Sequence, residues 1–193
     1  MKIVFFLLCV SSVWAQRFDL LSGNFESIKD IPEFNIVFDY DGMQVHDYES
    51  EEAYLKIKFE QQKEKPEKAK AFVDNWYADR TNKYEPRFID YFNERFEKGE
   101  VKIVRNGAAK YTIKVKTVWL YPGYGMGPSG QPSKITAIIS VFETENPTNV
   151  LVSVKFDKTI GMENRDPNKF GERISGAYEK LAKNFVMQLK RVR

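Results

Sequence analysis

The chain has 193 residues, a formal net charge of +3 with a single histidine, 42% hydrophobic and 15% aromatic residues. That apolar content can build a buried core and excludes a disordered chain. The near balance of 30 bases against 27 acids, interspersed along the sequence, excludes a nucleic-acid binder by composition.

Met1-Lys2 places one positive charge before the apolar run at residues 3–10 (IVFFLLCV), and Ser11, Ser12, Val13 and Ala15 follow. A short apolar core between a basic end and a small-residue cleavage site predicts a secretory signal over residues 1–15, cut before Gln16. The run is less than half the length needed to span a bilayer. Cys9, the only cysteine, lies inside it behind Leu7 and Leu8, too early and in too bulky a setting for a lipid anchor. The mature chain, residues 16–193, is therefore expected to be one exported domain, periplasmic or secreted. It would have no thiol for disulfides, thiolate catalysis or cysteine-ligated zinc.

Residues 17–31 read as a mixed lead-in. Phe34, Ile36, Phe38 and Tyr40 alternate with Asn35, Val37, Asp39 and Asp41, a period-2 pattern with one strongly apolar face, which predicts a strand stopped by Asp41-Gly42. Ser50 followed by Glu51 and Glu52 is a helix start, a capping hydroxyl with acids in the first turn. Pro66 opens a second helix, with Ala69, Phe72, Val73, Trp76 and Tyr77 as its buried stripe. Thr81-Asn82 predicts a break, and a third helix runs from about Glu85 to Glu97. Tyr111, Ile113, Val115, Thr117 and Trp119 then alternate as a strand. Ile135, Ala137, Ile139 and Val141 form the next, and Val150, Val152, Val154 and Phe156 the last. Ile174, Tyr178, Leu181, Phe185 and Leu189 define a closing helix over about 172–190. The pattern predicts an α+β fold, a mainly antiparallel four-stranded sheet with helices packed on one face.

The motifs with chemical content are few. His46, the sole histidine, lies in a polar stretch with no nucleophile motif around it, and no Gly-x-Ser-x-Gly elbow exists. Asp39, Asp41, Asp47 and Glu49 concentrate carboxylates of the kind that hold calcium, although Gly42 directly after Asp41 breaks the EF-hand spacing. Gly123, Gly125, Gly127 and Gly130 resemble a phosphate loop, but prolines and a strand follow instead of a helix N-terminus. The segment 121–133, with its glycines and prolines, is a long connection bearing Tyr121, Tyr124 and Met126, the candidate binding residues. Tyrosine and methionine are among the residues that interfaces favour.

Residues 35–43 (NIVFDYDGM), 76–88 (WYADRTNKYEPRF) and 142–149 (FETENPTN) resemble an uncharacterised family of exported proteins of Gram-negative anaerobes. The order of elements is more loosely similar to periplasmic lipoprotein domains related to the curli secretion channel, whose lipid-bearing cysteine this chain lacks. The resemblance implies export and carries over no activity and no functional residue. The expected function is a non-enzymatic protein-interaction or envelope-assembly role, with a protein or envelope component as partner and no cofactor. The alternative is a carboxylate-based hydrolase or a small-ligand or calcium-binding protein. Convergence of Asp39, Asp41, Asp47 and Glu49 in a deep pocket would favour that alternative.

Overall fold

A computed structural model describes residues 18–96, 98–105, 107–125, 129–161 and 169–193. Residues 1–15, expected as a signal, and Met126 lie outside the described residues.

Among the described residues, seven strands form one mixed sheet. They are β1 (Phe18–Gly23), β2 (Glu33–Asp39), β3 (Gln44–Val45), β4 (Lys102–Val104), β5 (Tyr111–Tyr121), β6 (Lys134–Glu143) and β7 (Asn146–Ile160). The spatial order is β1-β7-β6-β5-β2-β4, with β3 also paired to β5. The α+β expectation holds, whereas the four-stranded antiparallel sheet does not. β5, β6 and β7 form the antiparallel meander, but β2 runs parallel to both β4 and β5. The cause is connectivity. The chain leaves β2 through a long helical segment and returns to the same end of the sheet, as a crossover requires. The three strands missing from the sequence pattern carry no usable period. β1 is exposed at all six residues, and β3 and β4 have only two and three.

Among the described residues, four α-helices complete the layer: α1 (Glu51–Glu60), α2 (Pro66–Asp79), α3 (Glu85–Glu94) and α4 (Phe170–Val192). Ser50 caps α1 through its Oγ, which accepts the Ala53 N–H at 3.1 Å. The expected break at Thr81-Asn82 is instead a wide π-helical turn (Arg80–Tyr84) that joins α2 to α3 without interruption. Pro86 supplies the reason. It has no N–H for the Asn82 carbonyl and its ring would press on that carbonyl. Widening the turn lets the Glu85 N–H bond the Arg80 carbonyl instead.

α4 packs on β6 and β7 and against α3. The buried face of the sheet, Ile113, Val115, Ile139, Val141, Val154 and Phe156, meets Ile174, Ala177, Tyr178, Leu181 and Phe185 of α4 in one core cluster. Tyr178, fully buried, finds a polar partner at 2.6 Å in Thr117 and stacks on Tyr84. No helix of the described residues is long and apolar enough to cross a membrane.

Candidate binding groove

α1, α2 and the first turn of α4 bring three aromatic rings together. Phe72 lies 5.2 Å from Phe170 and 6.3 Å from Tyr54, and Trp76 sits behind them, 4.9 Å from Tyr54 and stacked 5.9 Å from Phe170. Helical spacing puts Phe72 and Trp76 on one side of α2. Trp76 is 2% exposed, whereas Tyr77, expected on the same buried stripe, is 43% exposed.

Beneath the rings lies a charged network. The buried Glu51 carboxylate accepts from both the Trp76 indole N–H and the Arg80 guanidinium. Arg80 is set between the Tyr40 and Tyr77 rings, 4.3 and 5.0 Å from their centroids. Burial pulls its guanidinium pKa down, but the Glu51 carboxylate outweighs this and raises it, so the guanidinium stays charged. Burial likewise pushes the Tyr40 and Tyr54 hydroxyls up, keeping both as neutral phenols.

The opposite wall comes from the connection after β5. Tyr124 and Gln131 exchange backbone hydrogen bonds of 3.1 and 2.9 Å, so the base of the connection is a closed hairpin. Gly123 allows the reversal: its φ is +67°, and an added Cβ would meet the Gln131 carbonyl oxygen at 2.4 Å. Ser133 ties the hairpin to α4, since its buried Oγ donates to the Arg173 carbonyl at 2.5 Å and its own carbonyl accepts the Gly161 N–H at 2.8 Å.

Between these walls lies an open groove of about 600 Å³, lined by Tyr54, Phe72, Phe170 and Tyr124. Its described charged lining residues are Lys58, Lys68 and Arg173, all cationic, with Gln61, Gln62 and Asn75 beside them. Such a cleft can hold an apolar side chain against the rings while its rim meets a carboxylate. Its volume falls within the range of small-ligand pockets.

The candidate binding residues are thus separated. Tyr124 is 42% exposed on the groove wall. Tyr121 is the last residue of β5, and its ring lies 5.0 Å from His46. The candidate carboxylates are not gathered around one point. Asp39 pairs with Lys114 at 2.7 Å and accepts the Asp41 N–H at 2.9 Å, while Asp47 turns to His46 at 3.4 Å. Asp41 and Glu49 are exposed, and no three His, Cys, Asp or Glu side chains among the described residues converge as a metal site would need. Sequence reasoning missed Tyr54, Phe72 and Phe170 as a groove floor. Their helical spacing signals burial, and only the docking of α4 leaves one side of the cluster open.

No family model matches the chain, and no curated protein matches it. Among solved structures, the PelC dodecamer from Paraburkholderia phytofirmans is 11% identical with a TM-score of 0.37, covering 87% of this chain and 98% of that one. A leucine-to-methionine variant of that dodecamer is 10% identical with a TM-score of 0.38, covering 87% of this chain and 99% of that one.

Proposed function

We propose that this chain is an exported, non-enzymatic binding protein that seats an acidic peptide segment of a partner protein in the groove between the Tyr124 hairpin and α1, α2 and α4. The observation that carries this reading is the pairing of an aromatic floor with a cationic rim. Tyr54, Phe72, Phe170 and Tyr124 offer ring surface, and every charged described lining residue is a lysine or arginine. A peptide with one aromatic or aliphatic anchor and flanking carboxylates satisfies both. The anchor buries apolar area, and the carboxylates meet Lys58 and Lys68 at the rim, where charge complementarity sets specificity and on-rate. The closed hairpin holds Tyr124 in place before binding, which limits the ordering cost.

Panning a displayed peptide library on the protein lacking residues 1–15 tests the reading. Enriched sequences should combine acids with an apolar anchor, and a synthetic peptide from the set should lose at least about tenfold in affinity to Tyr124→Ser. Enrichment of basic peptides, or an affinity that ignores Tyr124→Ser and Phe72→Ser alike, would overturn it.

A further inference from the structure

A second surface is built where β3, β5, β6 and β7 meet. The β5 ladder slips between Thr117 and Trp119, so that Trp119 stands opposite Thr136 and Tyr121 opposite Lys134. Such a bulge re-aims the side chains beyond it. Leu120 is buried in the core, so Trp119 and Tyr121 stand on the other face of the sheet. β3 runs beside this end of β5, and the His46 N–H donates to the Leu120 carbonyl at 2.8 Å. That bond delivers the imidazole between the two rings, 5.5 Å from Trp119 and 5.0 Å from Tyr121, edge-on to each.

Two ammonium groups close the ends. Lys134 Nζ lies 5.7 Å over the Tyr121 ring, and Lys158 Nζ lies 5.9 Å over the Trp119 ring. Lys158 is held by its backbone, with φ at +44° and its N–H bonded to Thr136 Oγ1 at 3.1 Å. Thr136 Oγ1 also donates to Asp157 at 3.0 Å. The result is a row, Lys134, Tyr121, His46, Trp119, Lys158, in which the ring at each end sits beneath an ammonium group. Asp47, 3.4 Å from His46, is the carboxylate that faces the imidazole; Tyr121, Lys134 and Lys158 are the other titratable groups of the row.

We propose that this row is a binding site for an acidic saccharide polymer, whose carboxylates meet Lys134 and Lys158 at the two ends while its sugar rings lie along Tyr121, His46 and Trp119. A single small anion would use one ammonium, whereas the row presents two at its ends. Single-stranded nucleic acid is the less favoured class, because a near balance of 30 bases and 27 acids supplies no basic stripe to track a phosphate backbone.

Oligogalacturonate is the probe, titrated into the protein lacking residues 1–15 with intrinsic tryptophan fluorescence and calorimetry as readouts. The wild type should bind, and Lys134→Gln with Lys158→Gln should weaken binding at least about tenfold at an unchanged melting midpoint, by loss of both end cations. Absence of wild-type binding, or an affinity untouched by the double lysine variant, overturns the proposal. Tighter binding of an oligothymidylate, lost in the same variant, assigns the row to nucleic acid and overturns it too. The groove residues are unchanged throughout, so these outcomes do not depend on the peptide-binding reading.

Discussion

Trp76 donates its indole N–H to the Glu51 carboxylate and so joins the last turn of α2 to the first turn of α1. The same oxygen receives the Arg80 guanidinium. One carboxylate therefore holds both the ring that backs the groove and the cation at the start of the π-helical turn. Removing either side of this contact should be felt far from the residue changed.

Trp76→Ala should lower stability by about 3–5 kcal/mol, the usual range for deleting a buried large aromatic. Trp76→Phe keeps ring contact with Tyr54 and Phe170 and leaves one Glu51 bond unmade, at about 1–3 kcal/mol. Urea denaturation of the two variants measures both. Equal losses would mean that the hydrogen bond, not the packing, is what matters.

Glu51→Leu leaves the Arg80 charge largely buried without its carboxylate, which should lower stability by about 3–5 kcal/mol. Adding Arg80→Leu should restore part of that loss, because no uncompensated charge remains. A double-mutant cycle decides the matter. Purely additive single losses would show that the two side chains do not interact in solution.

Gly123→Ala should loosen the hairpin, since it combines a positive φ with a Cβ driven into the Gln131 carbonyl. Hydrogen exchange at the Tyr124 and Gln131 amides should accelerate, with peptide binding lost alongside. Gly99→Ala is the control. Its φ is +68° but an added Cβ meets nothing within 4 Å, so only the backbone term of about 1–2 kcal/mol applies. Matching behaviour of the two variants would rule out the close approach at Gly123.

Asp39 carries a pH signature. Burial pushes its carboxyl up, but the Lys114 bond and the Asp41 N–H outweigh this and hold it below the ordinary carboxylate value. A depressed folded-state pKa gives stability that is present above the unfolded value and is lost as pH falls through the folded one. Asp39→Asn should therefore be less stable than wild type at neutral pH and should converge on it in acid. Melting curves across that range test it; a gap that persists in strong acid would assign the loss to packing.

Calcium in excess should leave the melting midpoint where it is. Asp39 is engaged by Lys114 and Asp47 by His46, whereas a calcium ion needs six to eight oxygens directed at one point. A midpoint that climbs with calcium would show that Asp39, Asp41, Asp47 and Glu49 can regroup around the ion.

The alternation of Ile113, Val115 and Thr117, of Ile135 to Val141, and of Val152 to Phe156 determined the meander. Side chains one residue apart face opposite sides of a strand, and only one side is buried. The stripe of Ile174, Tyr178, Leu181, Phe185 and Leu189 determined α4 in the same way, through the helical period. Tertiary structure alone decided the remainder. β1 and β4 exist because longer neighbours offer them unpaired backbone groups, which leaves no trace in their own side-chain pattern. Parallel pairing of β2 with β5 follows from where three helices return the chain, a property of the path and not of any residue. The functional surfaces belong to this second kind. Tyr121 and Tyr124 are three residues apart in the sequence, yet the end of β5 and the reversal at Gly123 set one ring against His46 and the other on the groove wall. Local sequence determines which atoms a segment can bury, whereas a site needs atoms from segments that meet only when the fold closes.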